Sequence, residues 1–393
     1  MLAWLKRDRR PRRVGIYRQG MYALPDELVV EILSRLPLKS ICRFKCVCQY
    51  WLAITSDSHY RQKLPRTPAG LLYKKRELGR LLWSLRPSIH LARLPTSDTE
   101  INTRCNFMPA HYKYSNLEDC SNGLLLSYHG VTNSGESFDA IVCNPATQKW
   151  LAIPDTKPGP LGYSTDLRLC FDPLWSQHFY IFQFRSIRTF GPNTHTTQVK
   201  VFFSEDSIWS NCLWESKGLH VDESLFINGV MYLWDFRDVK IQAFDAPDTN
   251  AQWLNHKIIR LPGCQDMCTH GCLGQSSGDL CYAKLEIDGC MVRIWGLEGL
   301  GWVVKHDVSM TDVFGRDKLL SSDWIGDSYF DYVDILAFDL EREIVILNDK
   351  KGQKIILVST STGKLSRFRK VPRKFTKRYR TLFYVPYYGE IPA

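Results

Sequence analysis

Asn228-Gly229-Val230-Met231-Tyr232-Leu233-Trp234 joins a turn pair to a short run of β-branched, aromatic and long apolar residues. Asn-Gly tolerates the left-handed backbone of a tight turn, and the run that follows suits a pleated, half-buried surface. Turn-and-strand starts of the same kind stand at Asn122-Gly123, Asp172-Pro173 and Gly278-Asp279. Counted from the first residue of each pair, their separations are 50, 56 and 50 residues. Several units end on a Trp or an apolar–Pro step, as at Lys149–Pro154 and Arg260–Pro262. A period of about 50 predicts the four-stranded blades of a kelch-like β-propeller. No unit carries a clean Gly-Gly pair, and an irregular β-sandwich or barrel is the alternative all-β reading.

Outward from that stretch the same texture runs from about residue 115 to 385. Strands are predicted at Gly123–Tyr128, Ala140–Cys143, Phe179–Phe184, Gln198–Phe203, Gly229–Trp234, Asp279–Ala283, Met291–Trp295, Ile335–Phe338, Ile344–Leu347 and Lys354–Val358. They do not alternate with long helices, which argues against a parallel α/β fold. Aromatic residues make up 12% of the chain, with 12 Trp and 18 Tyr, and favour β structure. Residues 64–114 read as a linker plus the first β elements.

Upstream the period changes. Pro25 suits a first helical position, and Asp26 and Glu27 place negative charge in the first turn, where the helix dipole favours it. Leu28, Ile32 and Leu36 then recur every four residues, with Val29 and Leu33 beside them. Pro37 stops that helix. A second apolar series follows at Ile41, Phe44, Cys48, Trp51 and Leu52. Three short amphipathic helices in residues 21–63 cannot bury their stripes alone and need a partner surface. The fold class is therefore α+β as two domains, a short helical unit followed by an all-β one.

The 393 residues are 44% hydrophobic, enough for a sizeable core. No run approaches the ~18 apolar residues of a membrane span, so a soluble chain with no membrane partner is expected. The net charge of +10 is unevenly placed. Residues 1–20 hold seven Lys/Arg against Asp8, or +6, and residues 361–381 hold nine and no acid, or +9. Subtracting both from +10 leaves −5 for the body of the chain. The first 20 residues read as a disordered basic arm, either a nuclear-import signal or a solubilising tail. In that arm the basic run follows the apolar Met1–Leu5, the reverse of a signal peptide's order. Thirteen cysteines, an odd number, then fit a reducing nuclear or cytoplasmic setting without a disulfide framework.

Leu24-Pro25-Asp26-Glu27-Leu28, then Glu31-Ile32-Leu33-Ser34-Arg35-Leu36-Pro37, then Val47-Cys48 and Trp51 resemble the F-box in order and spacing. The remainder resembles the F-box-associated region of the large plant F-box family. That likeness rests on Ser121-Asn122-Gly123-Leu124-Leu125, Cys143-Asn144-Pro145-Ala146-Thr147-Gln148-Lys149-Trp150, and Phe226-Ile227-Asn228-Gly229-Val230-Met231-Tyr232 leading to Ala243-Phe244-Asp245. It continues through Gly278-Asp279-Leu280 to Ile294-Trp295. The resemblance implies the substrate-recognition subunit of a Skp–cullin–F-box ubiquitin ligase. In such a subunit the F-box docks on a Skp-type adaptor, the adaptor joins a cullin scaffold, and the β domain holds a target protein. It further implies that Leu24, Pro25, Leu28, Ile32, Leu36, Ile41, Val47 and Trp51 lie at or beneath the adaptor interface, and that catalysis and cofactors reside elsewhere in the complex.

Other chemistry finds weaker footing. Cys264, Cys268, His270 and Cys272 are soft ligands, but C-x3-C-x-H-x-C is not the spacing of a common zinc module, and no metal is assigned. Cys42, Cys46 and Cys48 read as core or near-core packing of the helices. Ser204-Glu205-Asp206-Ser207-Ile208-Trp209 lacks the Gly of a sialidase-type Asp box, and G-x-S-x-G, P-loop and H-E-x-x-H motifs are absent. An interaction protein contacting nucleic acid through Lys364–Arg380, where Phe368, Phe375 and Tyr379 interleave with basic residues, is the alternative function. A basic final strand and tail is the plainer reading of that stretch. Trp175, Trp209, Trp234 and Trp324 lie near predicted turns, where an anchor for a target is equally a core residue.

Overall fold

The structure is a computed structural model. It describes residues 24–36, 38–44, 47–56, 67–78, 85–95, 101, 105–108, 116–129, 139–153, 165–187, 195–216, 221–235, 239–251, 253–263, 271–286, 291–299, 301–314, 333–350, 352–370 and 381–392. The chain divides into two compact units, Met1–Pro65 and Arg66–Ala393.

The first unit is helical: α1 (Asp26–Ser34), α2 (Leu38–Phe44) and α3 (Gln49–Ser56). Pro25 stands at the N-cap of α1, one place before the predicted first helical position. Its carbonyl accepts the amides of Leu28 and Val29. Pro37, the predicted stop, lies outside the described residues, and α1 ends ahead of it. Val29, Val30 and Leu33 bury against Ile54 of α3, with Leu36, Phe44 and Trp51 packed around them. Phe44 and Trp51 stack with centroids 4.9 Å apart, and the Tyr50 hydroxyl donates to Asp26 Oδ1 at 2.8 Å, tying α3 to the start of α1. So small a core is sensitive to each of its members.

The second unit is a six-bladed β-propeller. Blade 1 combines β1 (Gly70–Leu78) and β2 (Leu85–Arg93) with β23 (Leu382–Tyr384) from the far end of the chain. Blade 2 is β3 (Asn116–Ser121), β4 (Leu124–His129), β5 (Asp139–Asn144) and β6 (Lys149–Ile153). Blade 3 is β7 (Thr165–Cys170), β8 (Tyr180–Ile187), β9 (His195–Phe203) and β10 (Ile208–Ser216). Blade 4 is β11 (Glu223–Ile227), β12 (Val230–Trp234), β13 (Lys240–Asp245) and β14 (His256–Arg260). Blade 5 is β15 (Gly271–Ser276), β16 (Asp279–Leu285), β17 (Met291–Glu298) and β18 (Gly301–Ser309), followed by the short α4 (Met310–Phe314). Blade 6 is β19 (Val333–Asp339), β20 (Ile344–Asp349), β21 (Lys354–Ser359) and β22 (Leu365–Lys370). All ten strands predicted from sequence fall on strands of blades 2–6. The stretch 64–114, read as linker plus first β elements, contributes β1 and β2 together with Ile101, Cys105 and Met108 of the core.

A four-stranded sheet with two apolar faces cannot stand alone, so each blade buries its faces on its neighbours. Six apolar clusters do this in turn. Leu72, Leu125 and Tyr384 join blades 1 and 2, and Leu124, Phe171 and Phe179 join 2 and 3. Phe182, Trp214 and Phe244 join 3 and 4, and Trp234, Tyr282 and Trp295 join 4 and 5. Ile294, Ile335 and Leu347 join 5 and 6, and Leu71, Ala337 and Ile346 return from 6 to 1. The ring closes.

Three of the four turn pairs of the sequence repeat lie between the first and second strands of blades 2–4. In blade 5 the same place is taken by Ser277-Gly278, at φ 52° and 85°, and Asp279 of the predicted pair already opens β16. Asn122 and Gly123 have φ of 43° and 90°, and Asn228 and Gly229 have 50° and 83°, as a primed two-residue hairpin requires. Blade 6 turns instead through Leu340–Glu343, with Glu343 at φ 54° and no Asn-Gly or Asp-Pro pair, so its repeat was not visible. These turns grip one another. Asn122 Nδ2 donates to the Phe171 carbonyl at 2.7 Å, the Asn228 amide to Asp172 Oδ2 at 3.1 Å, and Asn228 Nδ2 to the Gly278 carbonyl at 3.0 Å. The sequence period is thus the step from one blade's turn to the next.

The first strands carry a second set of links. Asp119 Oδ2 on β3 accepts the Leu169 amide at 2.9 Å and the Ser224 hydroxyl at 3.2 Å. Glu223 Oε2 on β11 accepts the Leu273 amide at 3.0 Å. Arg168 on β7 holds Asp166 and donates to the Val221 carbonyl at 2.7 Å.

After β23 the chain turns back over blade 2. Asn144 Nδ2 donates to the carbonyls of Tyr387 at 2.8 Å and Gly389 at 3.1 Å, and the Tyr387 ring meets Phe171 edge-on at 4.9 Å. A Cβ at Gly123 would lie 2.4 Å from the Tyr387 nitrogen, on a backbone already in the left-handed region. Gly299 has φ +60° and nothing within 4 Å of such a Cβ. Gly299→Ala is therefore expected to cost about 1 kcal/mol, for conformation alone. Gly123→Ala adds a backbone clash of about 1–3 kcal/mol, readable as a larger fall in the denaturant midpoint.

Candidate functional site

On the helical unit, burial of Val29, Val30 and Leu33 turns the next positions outward. Leu24, Leu28 and Ile32, at four-residue spacing, are 50%, 51% and 50% exposed. Pro25 is exposed at the head of this stripe, and Val47, Tyr50 and Leu52 are exposed on and beside α3. The helix thus offers one apolar stripe to its own core and a second to solvent. Of the eight residues assigned from the resemblance, Leu24, Pro25, Leu28, Ile32 and Val47 stand at the surface. Leu36 and Trp51 are half-buried against the core, and Ile41, 1% exposed, is internal. Ile41 therefore supports the surface and does not form it. Cys48, expected in or near the core, is exposed before α3, while Cys46 and the Cys42 side chain lie outside the described residues.

On the propeller, Trp234 is core and Trp209 is half-buried against Phe202. Trp324 lies outside the described residues. Trp175 is exposed, in the connection between β7 and β8. Of the Ser204–Trp209 stretch, Ser204–Ser207 forms the turn from β9 to β10, where the Ser204 hydroxyl accepts the Phe179 amide at 2.9 Å, and Ile208 and Trp209 open β10. Cys264, Cys268 and His270 lie outside the described residues, while Cys272 is buried with Sγ 3.5 Å from Glu223 Oε1. Among the described residues no group of three or more His, Cys, Asp or Glu is placed to hold a metal. Cys105 and Cys143, both free, share a hydrogen bond in the blade 1–2 core that lowers the Cys105 thiol and raises that of Cys143. In the basic C-terminal segment Lys364 is exposed before β22, and residues 371–380 lie outside the described residues.

The fold and this stripe define a class, a short helical unit with an exposed apolar stripe followed in sequence by a six-bladed propeller. Residues 21–65 match the F-box-like family model, and residues 94–358, more than half of the chain, match the model described as F-box protein At3g26010-like, beta-propeller. The chain belongs to this family of F-box propeller proteins. It is 24% identical over 340 residues to the F-box protein At1g49990 of Arabidopsis thaliana, covering 72% of this chain and 75% of that one. Against F-box protein At1g47340 of the same plant it is 27% identical over 227 residues, covering 53% of this chain and 47% of the relative. The putative F-box protein At3g10240 is 26% identical over 291 residues, covering 72% and 70%.

Proposed function

We propose that this chain is the substrate-recognition subunit of a Skp–cullin–F-box ubiquitin ligase, working in the nucleus or cytoplasm. The F-box docks on a Skp-type adaptor, and the propeller holds a target protein. The chain itself transfers nothing. It raises the local concentration of the target beside a ubiquitin-charged enzyme bound elsewhere on the scaffold. The observation that carries this reading is the exposed Leu24–Leu28–Ile32 stripe. Its three large apolar side chains gain about 1.5–3 kcal/mol each when fully buried in a partner groove.

Leu28→Asp with Ile32→Asp is expected to lower capture of a recombinant Skp-type adaptor by at least about a hundredfold, the equivalent of about 2.7 kcal/mol. Leu24→Ala with Pro25→Ala is expected to act in the same direction. Thermal unfolding of the propeller should be unchanged in both, because none of these side chains belongs to it. Adaptor binding that survives both double substitutions would rule the reading out.

A further inference from the structure

The first-to-second and third-to-fourth strand connections of blades 2–6 open on one end of the propeller, and its charge is not evenly shared. Around blades 3–5 this end exposes Glu205, Asp206, Asp245, Asp248, Asp279 and Glu298. Against them stand Lys257 at the start of β14 and Lys305, which pairs with Glu298. Charge opposition holds none of the other five acids in an ion pair among the described residues. Among the described exposed residues of blades 3–5, this end therefore carries more acid than base.

Trp175 rises from the same end, 43% exposed. Its position is fixed from below. Asp172 Oδ1 accepts the Leu174 amide at 3.0 Å, the Asp172 carbonyl accepts those of Trp175 and Ser176, and Asp172 Oδ2 grips the blade 4 turn through the Asn228 amide. The indole lies over Gly229, where a Cβ would come within 2.6 Å of the ring, and it contacts Tyr180 and Phe226 at 6.0 Å and 5.7 Å. Glu205 of blade 3 and Asp248 of blade 4 lie near Tyr180 of this aromatic group, while Asp245 and Asp279 lie near Tyr232, with Lys305 also close enough to Asp279 to feel its charge. Burial first, then Glu205 and Asp248, raise the Tyr180 phenol, and burial with Asp245 and Asp279 raises that of Tyr232. A large apolar side chain seated on a fixed turn, exposed at an end of the propeller where acids outnumber bases, is a preorganised anchor, since little side-chain freedom remains to be lost on binding.

We propose that this turn end of blades 3–5 is a docking surface for a Lys/Arg-rich segment of a target protein. Trp175 would carry a guanidinium on its face, and Glu205, Asp245, Asp248 and Asp279 would receive the flanking cations. The occupant follows from charge complementarity. An acidic or nucleic-acid partner would be repelled by the same carboxylates. The proposal rests on the target-holding role given to the propeller above and names the chemistry of what is held.

The test uses the full chain bound to its adaptor and a fluorescein-labelled Arg-Gly repeat peptide, read by anisotropy at ~0.15 M salt, where non-contact attraction is screened beyond about 8 Å. A neutral Gln-Gly repeat of equal length is the reference. The Arg-Gly peptide should bind and the Gln-Gly peptide should not. Glu205→Lys with Asp248→Lys, both on exposed turns, should weaken binding about tenfold or more without touching the fold. Trp175→Ala should weaken it about fivefold, the order of a cation–π contact. Equal binding of the two peptides, or an Arg-Gly affinity indifferent to the charge reversal and to Trp175→Ala, overturns the proposal. Leu28→Asp with Ile32→Asp separates the two readings, because it should abolish adaptor capture while the free full chain keeps its peptide affinity.

Discussion

A chain ending at Thr381 should fail to form a cooperative propeller. The deletion removes β23, the only described partner on that edge of β1, along with pairings Gly70–Tyr384, Leu71–Phe383 and Leu72–Leu382. It leaves the amide of Ala69 without the Tyr384 carbonyl and Asn144 without the carbonyls it holds. It also empties the blade 1–2 core of Tyr384, which is fully buried, and strips Tyr387 and Ile391 from the blade 2–3 cluster. A propeller differs from an open array of blades in that its end blades have no free faces. Opening the ring exposes an apolar face on both sides of the cut at once. Tyr384→Ala alone is expected to cost about 3–5 kcal/mol, the range for losing a buried aromatic side chain. Against a total stability of about 5–15 kcal/mol that is a large fraction, and the truncation removes several such contacts together. Urea unfolding followed by near-ultraviolet circular dichroism would show it. A truncated chain with a sharp transition at the wild-type midpoint would mean that closure does not rest on β23.

Arg168→Met should be the most damaging single change on the inner strands. The guanidinium is buried, and its fork reaches both carboxylate oxygens of Asp166 at 2.9 Å and 3.0 Å and the carbonyls of Leu167 and Val221. Methionine keeps much of the volume but leaves these acceptors unanswered. Asp166 retains some solvent access, its side chain being 26% exposed, so part of its charge is rehydrated and the full penalty of a stranded buried ion is not incurred. The expected loss is about 3 kcal/mol. Arg168→Lys should recover little of it, since an ammonium cannot span a carboxylate and two carbonyls in a plane. Hydrogen exchange should locate the damage, with protection falling first where blade 3 meets blade 4 at Val221. If the Lys variant matches wild type, the fork geometry is irrelevant and only the charge matters.

These two sites also mark the limit of what was legible beforehand. The ten strands found from sequence are second or third strands of their blades, apart from Ile335–Phe338 on β19, and they are buried on both faces by neighbouring blades. The innermost strands of blades 2–5 were passed over, because Asp119, Arg168 and Glu223 interrupt their apolar runs and Gly271 and Gly274 thin them. Those polar groups are there to accept and donate across blade boundaries. The glycines admit Tyr282 and Phe338, whose rings leave no room for a Cβ. Both features look like loop when read locally. The outer strand β14 was missed for a different reason, since nearly all its residues are exposed and no apolar alternation survives. On the helical unit the spacing of Leu24, Leu28 and Ile32 announced a stripe, but spacing alone did not divide it from the core beneath. That division came from where α3 sits, which buries Val29, Val30 and Leu33 and leaves the other row to solvent.

What the sequence alone determined is therefore local and periodic: three short helices with more apolar surface than they can bury, a β-rich body, and a turn that returns about every 50 residues. It also determined the family, because those residues fall in a recognisable order. The number of blades, the use of residues 382–384 to complete the first of them, and the placing of Trp175 at the same end as exposed acids of three blades belong to the tertiary structure. Each depends on contacts between residues 50 to more than 300 positions apart, and no local preference encodes which distant segment completes a sheet or faces a given side chain.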